Sequence, residues 1–407
     1  MSYVYTDEIK FANTENFDAF GRFRTSTPFT LFDSSHRFAD NNLWATSSAT
    51  GGTSAFNSSQ GLVDLSVTSS SGSEVIRETV KVFAYQPGKS LLVMNTFVMS
   101  AAKTGLRQRI GYYGVSNGYY LEQNSSTISF VERSSVTGAV VNTPVVKASW
   151  NIDPMDGTGP SGITLDLTKA QILFTDLEWL GVGTVRIGFV INGIFYTCHK
   201  FHHANLIDST YITTASLPAR YEITNTSATI GTSTLKQICS TVISEGGYEL
   251  RGLQQAIGTP ITTPKTLSTA GTFYPMVSIR LKSTRLDGII VATAASLIGN
   301  TAANFNWQII SAGTTTGGSW VSAGSNSSVE YNITGTSFAG GRIVASGFFT
   351  ATASTSVSVD ILRSALFANQ LERNGLTGTP YEFTVVLSAG SNNETAFASI
   401  DWEEISR

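Results

Sequence analysis

The chain has 407 residues, 41% of them hydrophobic and 14% charged, and a formal net charge of −3. That length supports two or three domains, each able to bury a core. The charge balance leaves no electrostatic footprint for nucleic acid, and no apolar run reaches membrane-spanning length, so membrane insertion is not expected.

The first element is an aromatic segment. Residues 17–32 hold Phe17, Phe20, Phe23, Phe29 and Phe32, with Arg22 and Arg24 between them. Gly21 and Pro28 interrupt any helix. Apolar positions spaced by three do not fit an alternating strand either. An extended aromatic segment needs a second surface to bury it. Residues 1–40 therefore read as a docking arm whose contacts are Phe17, Phe20, Arg22, Phe23, Arg24, Phe29 and Phe32. Arginines among aromatics also suit RNA stacking, but two on a net-acidic chain are too few. Met1-Ser-Tyr-Val-Tyr-Thr-Asp-Glu-Ile-Lys10 has neither the basic start nor the apolar stretch of a secretory signal, so synthesis in a cytosol without classical export is expected.

Residues 41–73 are rich in Ser, Thr and Gly, with sparse apolar anchors such as Trp44, Phe56 and Leu65. They read as loops with one or two short strands. From Glu74 the β signal is strong. Val75–Tyr85 ends in the turn Gln86-Pro87-Gly88-Lys89. Residues 90–99 are apolar on both faces, as in a central strand. Leu106–Tyr113 alternates and turns back at Val115-Ser-Asn-Gly118 into Tyr119–Gln123. Strands 128–133 and 139–150 follow. This spacing of strands and turns argues for a sandwich or jelly roll.

Residues 151–162 form a Pro/Gly loop. Strands 172–180, 185–191 and 194–201 come next, and Asn192-Gly193 marks a tight hairpin, since a type I′ turn needs positive φ at both positions. Strands 220–224 and 235–243 close a jelly-roll-like or lectin-like sandwich spanning residues 41–245. Residues 246–274, with Gly246-Gly247, Pro260 and Pro264, read as a linker. A second β-sandwich occupies residues 275–407. It contains one helix-like segment, Leu362–Leu371, stopped by Asn374-Gly375. The fold class is all-β throughout.

Candidate chemistry is thin. His199, His202 and His203 follow the hairpin, but strand alternation lets at most His199 and His203 share a face, with no acid to complete a metal set. Asp153 and Asp156-Gly157 lack the spacing of a Ca²⁺ loop and read as turn-capping residues. Asp176 and Glu178 share a strand face at the spacing of a glycosidase pair, yet nothing else supports such a site. Asp401, Glu403 and Glu404 read as solvated charge. Cys198 and Cys239 read as free thiols, too few and too far apart for a disulfide framework or a zinc motif. Tyr112, Tyr113, Tyr119 and Tyr120 form a possible glycan-facing surface, against the commoner reading of cross-strand pairing. No catalytic residue, metal or cofactor is expected.

The segment Phe17-Asp-Ala-Phe-Gly-Arg-Phe-Arg-Thr-Ser-Thr-Pro-Phe-Thr-Leu-Phe-Asp33 resembles the N-terminal signature of a family of tailed-bacteriophage virion structural proteins common in marine and cyanobacterial phages. The resemblance continues through Tyr85-Gln-Pro-Gly-Lys-Ser90, Asp156-Gly-Thr-Gly-Pro-Ser-Gly-Ile163, Asp176-Leu-Glu-Trp-Leu-Gly-Val-Gly183, Val277-Ser-Ile-Arg-Leu-Lys282 and Asp401-Trp-Glu-Glu404. It implies a virion component made in the host cytoplasm, without assigning a role. The expectation is a non-enzymatic structural protein. A tail fibre or tail-attached appendage docking by its arm comes first. A capsid decoration protein or head fibre, and a host-recognition module for surface glycan, are the alternatives. Its partners would be itself, as a homo-oligomer and most simply a homotrimer, and other virion proteins of the tail or capsid.

Overall fold

The computed structural model describes residues 25–351, 356–359 and 369–406. Phe17, Phe20, Arg22, Phe23 and Arg24 lie outside the described residues, as does most of the helix-like segment Leu362–Leu371. The first half of the chain contributes β1 (Phe29–Ser35), β2 (Trp44–Ala49), β3 (Thr53–Asn57), β4 (Leu62–Val67), β5 (Glu74–Thr79), β6 (Leu91–Val98), β7 (Leu106–Tyr113) and β8 (Gly118–Asn124). It continues with β9 (Thr127–Ser134), β10 (Val141–Val146), β11 (Gln171–Leu177), β12 (Val185–Ile191), β13 (Ile194–Phe201), β14 (Ala219–Asn225) and β15 (Ser233–Ser244).

These strands form two antiparallel sheets. One runs β13-β12-β11-β6-β15-β4-β3, with β1 also on β15; the other runs β10-β9-β8-β7-β14-β5-β2. Alternation along the strands builds the core between them. In β6, Leu91, Val93 and Phe97 point inward and are buried, while Leu92, Met94, Thr96 and Val98 are half-buried on the outer face. The expected turns are present. Asn192 and Gly193 have φ of 52° and 78°, and Ile191 faces Ile194 across the hairpin. Lys89 N–H donates to Gln86 O at 3.1 Å, with Gly88 at a φ of 85° that its missing Cβ permits.

The docking arm needs correction at its C-terminal end. Residues 29–35 are a strand of the first sandwich. β15 is 12 residues long, and β4 pairs only with Ser233–Gln237. The remaining half is left for β1, whose Phe29 faces Ser244 and whose Ser35 faces Cys239. Phe32 is 7% exposed, its ring 4.9 Å from Phe83 and 5.9 Å from Trp44. Its burial stabilises the chain's own core by roughly 1.5–3 kcal/mol. Phe29 packs against Tyr248.

The second half supplies β16 (Leu253–Gly258), β17 (Lys265–Leu267), β18 (Tyr274–Leu281), β19 (Ile289–Gly299), β20 (Ala303–Thr316), β21 (Val321–Ser322) and β22 (Val329–Asn332). It ends with β23 (Ser337–Ala351), β24 (Ser356–Val359), β25 (Arg373–Asn374), β26 (Thr379–Pro380), β27 (Glu382–Ala389) and β28 (Glu394–Ser406). One sheet runs β16-β28-β19-β24 with β17 also on β28, the other β21-β22-β18-β27-β20-β23. A second core fills the space between them, with Trp402, Trp307, Phe305 and Leu387 among its buried residues. The segment 246–274 is therefore not only a linker: β16 and β17 both pair with β28. Short edge strands show little alternation, which hid them in the sequence.

The sandwiches meet across a small apolar contact of Val82 and Ala84 with Ile289 and Val291. Backbone bonding crosses it too. Arg373 N–H donates to Val80 O at 2.9 Å, and the Gln370 side-chain amide donates to Val82 O at 2.7 Å. Gln370 itself bridges to Val291, so the described end of the segment 362–371 is bonded as extended chain.

Candidate functional site

The four tyrosines are buried, each 0% exposed, and do not form a glycan-facing surface. Tyr112 and Tyr119 face one another across β7 and β8 and project into the core. The Tyr112 hydroxyl donates to Ala215 O at 2.9 Å and accepts from Leu217 N–H at 3.0 Å. Tyr119 donates its hydroxyl to Glu132. Tyr113 and Tyr120 project from the opposite face of the same sheet, with ring centroids 4.5 Å apart. Arginines cover them: Arg109 and Arg133 lie over Tyr120, and Arg133 and Arg220 over Tyr113, at 5.1–5.5 Å. Their long side chains shield the rings from water.

The histidines are individually engaged. His199 Nδ1 accepts from Asn151 N–H at 3.1 Å. His203 stacks on Tyr211 at 3.9 Å and bonds Gly183 O through Nδ1 and Glu132 through Nε2, the latter at 2.8 Å. Glu132 comes from the other sheet, a partner invisible in local sequence. Asp153 accepts from Met155 and Ser161 N–H, both at 2.8 Å, and Asp156 from Thr158 N–H at 2.9 Å, as turn-capping carboxylates do. Burial raises the Asp153 carboxyl, but those hydrogen bonds outweigh it and hold it below its ordinary value. Among the described residues no group of three or more His, Cys, Asp or Glu is placed to hold a metal ion. Cys198 is buried and Cys239 half-buried, both free. Glu404 is 1% exposed and accepts from Ser328 N–H at 3.0 Å, and Glu403 is 4% exposed, so neither is solvated charge.

Sequence reasoning missed a chain of buried and half-buried charges on the outer face of the second sheet. Arg373 Nη1 lies 2.8 Å from Glu78, Glu78 lies 3.1 Å from Arg220, and Arg220 lies 3.3 Å from Glu222. Glu222 then meets Arg107 at 2.9 Å and Arg109 at 3.2 Å, and Arg109 meets Glu122 at 2.7 Å. Strand register makes the chain. Glu78 faces Arg220 across β5 and β14, and Glu222, Arg109 and Glu122 form one row across β14, β7 and β8. Burial pushes the Glu222 carboxyl up, but Arg109, Arg220 and Arg107 outweigh it and hold it below its ordinary value. The first link crosses the domain boundary, because Arg373 belongs to the second sandwich. Its fork also donates to Thr79 O and to Asp287, both at 3.0 Å.

Asp176 and Glu178 belong to an open groove at one end of the first sheet. Asp176, Arg186 and Lys200 form a row across β11, β12 and β13. A cavity of about 510 Å³ lies over it, lined also by Tyr85, Lys89, Glu178, Thr184 and His202. Asp176 ion-pairs with Arg186, and Glu178 accepts from Thr184 N–H at 3.3 Å. Burial raises the Asp176 carboxyl; Arg186 pulls it back, and Glu245 and Glu178 push it further, so the net shift is upward. A second cavity of about 450 Å³ shares Arg186 and Lys200 and extends past Phe195 and Tyr196 to Ile152 and Pro160.

No family model and no curated protein matches the chain. Among solved structures, a protein of unknown function from Shewanella oneidensis MR-1 is 10% identical with a TM-score of 0.37, over 56% of this chain and 91% of its own. The carbohydrate recognition domain of Emp47p is 10% identical with a TM-score of 0.34, over 54% of this chain and 97% of its own. A family 16 glycosyl hydrolase protein from Mycobacterium smegmatis is 8% identical with a TM-score of 0.37, over 53% of this chain and 100% of its own.

Proposed function

We propose that the chain is a non-enzymatic structural subunit of a tailed-phage particle, carried on a tail-attached appendage. One observation carries the reading: the two sandwiches are joined through a buried ion pair, Arg373–Glu78, reinforced by the backbone bond from Arg373 N–H to Val80 O and the side-chain bond from Gln370 to Val82 O. A buried pair adds little net stability but fixes one geometry, because only one arrangement satisfies both charges. A fixed double body suits a part that must hold its shape in an assembly. The resemblance of residues 17–33 to virion proteins supports the same reading, with Phe17, Phe20 and Phe23 remaining as docking contacts ahead of β1. A chain lacking residues 1–24 tests it. The truncated chain should fold with an unchanged thermal midpoint and fail to join particles, and incorporation at the level of the full chain would refute docking by this segment.

A second reading has its own observation. The groove around Arg186 and Lys200 is open, polar along its floor and apolar at one end, the character of a carbohydrate-recognition surface. Host-surface glycan recognition is compatible with a place on the outside of a particle. The two readings describe one subunit with an assembly end and a binding face.

A further inference from the structure

We propose that the groove binds an oligosaccharide carrying carboxylate groups, with Lys200 and Arg186 as the acid-recognising pair. The inference rests on the carbohydrate reading and narrows it to a ligand class.

Three observations combine. The first is adjacency: the two cavities share Arg186 and Lys200, so these cations border both. A ligand of several sugar units would cross them.

The second is which charges remain available. Asp153 lines the far cavity, but both its oxygens accept backbone N–H groups of its own loop. Asp176 is engaged by Arg186, and Glu178 by the Thr184 N–H. Lys89 donates to Gln86 at 2.8 Å. The Lys200 ammonium has no hydrogen-bond or ion-pair partner among the described residues, although its backbone is pinned by Asn151. The Arg186 side chain is 54% exposed despite its pair with Asp176, so part of its fork faces the groove. At the centre the Arg186–Asp176 pair leaves Lys200 as the local positive excess, while Lys89, Glu178 and Asp153 further along keep their charges, because their partners are neutral. A planar carboxylate accepts from a guanidinium and an ammonium together.

The third distinguishes a saccharide from an acidic peptide. An extended peptide would add to the edge of β13, the outermost strand of its sheet. That edge is occupied beside the groove. Ile152 and Asp153 N–H both donate to Cys198 O at 3.1 Å, and the Asn151 side chain bonds the Lys200 backbone on both sides. Recognition must use side chains. Thr184 and His202 offer partners for hydroxyls, and Phe195, 51% exposed, offers an apolar face for a sugar ring.

The test is calorimetric titration of the full chain with trigalacturonate and with its methyl ester, which keeps the hydroxyls and shape but removes the charge. Trimannuronate and its ester form a second matched pair. The acids should bind about tenfold more tightly than their esters, and Lys200→Glu should remove that advantage without shifting the thermal midpoint. Raising salt from about 0.05 to about 0.5 M should weaken the acids and spare the esters. Equal binding of acid and ester would overturn the acidic class and leave the carbohydrate reading standing. Absence of binding by all four would overturn both.

Discussion

Replacing Arg373 with Met should uncouple the two sandwiches. Arg373 is 3% exposed, and its fork holds Glu78 at 2.8 Å, Thr79 O at 3.0 Å and Asp287 at 3.0 Å. Glu78 is 2% exposed, so the substitution leaves a buried carboxylate short of one partner. Removing one member of a buried pair costs about 3–5 kcal/mol. Arg220 still reaches Glu78, which argues for the lower end, about 3 kcal/mol. Against a typical stability of about 5–15 kcal/mol that is a large fraction. Denaturant unfolding of the full chain, followed by tryptophan fluorescence and by far-ultraviolet circular dichroism, measures it. The expected result is a loss of about 3 kcal/mol with the two probes separating into distinct transitions. Adding Glu78→Gln should cost less than the sum of the single changes, because both act on one pair. A loss under about 1 kcal/mol with coincident transitions would show that the pair does not hold the domains together.

Three further outcomes follow from the geometry. The depressed Glu222 carboxyl means that the unfolded chain binds its proton at a higher pH than the folded one. Its contribution is present above the ordinary value of 4.5 and is lost as pH falls through the folded value; Glu222→Gln should flatten the thermal midpoint in that acid range, and an unchanged slope would contradict the assignment. β23 is a 15-residue edge strand exposing Ile343 and Phe348, the latter 79% exposed, so self-association should use it; Ile343→Glu with Phe348→Lys should shift light scattering to smaller species, and a wild-type monomer would remove the basis for a homotrimer. Chelator treatment should leave the thermal midpoint unchanged, because Asp153 and Asp156 already cap their own loop; a fall reversed by Ca²⁺ would contradict that reading.

Strand existence was legible where turn chemistry or a strand-length apolar run marked it, as at Asn192-Gly193 and along Leu91–Val98. Pairing over long separations was not. Nothing local marks Phe29–Ser35 as the partner of the far half of β15, or Leu253–Gly258 as the partner of β28. Charged strand residues were also missed. Nothing local links Glu222, Arg109 and Glu122, but cross-strand register aligns them into one row, with Glu222 buried and the other two half-buried. Alternation places Tyr113 and Tyr120 on one face without saying that Arg109, Arg133 and Arg220 cover it. Of the groove, sequence reached Asp176, Glu178, His202 and Asp153, without bringing them together. Lys200 and Phe195 acquire meaning only once the loop at 151–162 folds over β13.

The central proposal is that this double sandwich is a particle component. Quantitative mass spectrometry of tailed-phage particles purified from a lysate that contains the chain tests it most directly. The account predicts that the chain co-purifies with particles at a fixed ratio to the major capsid protein, well below one to one, as expected of a tail appendage. Recovery of the chain only in the soluble fraction, with none in the particles, would contradict it.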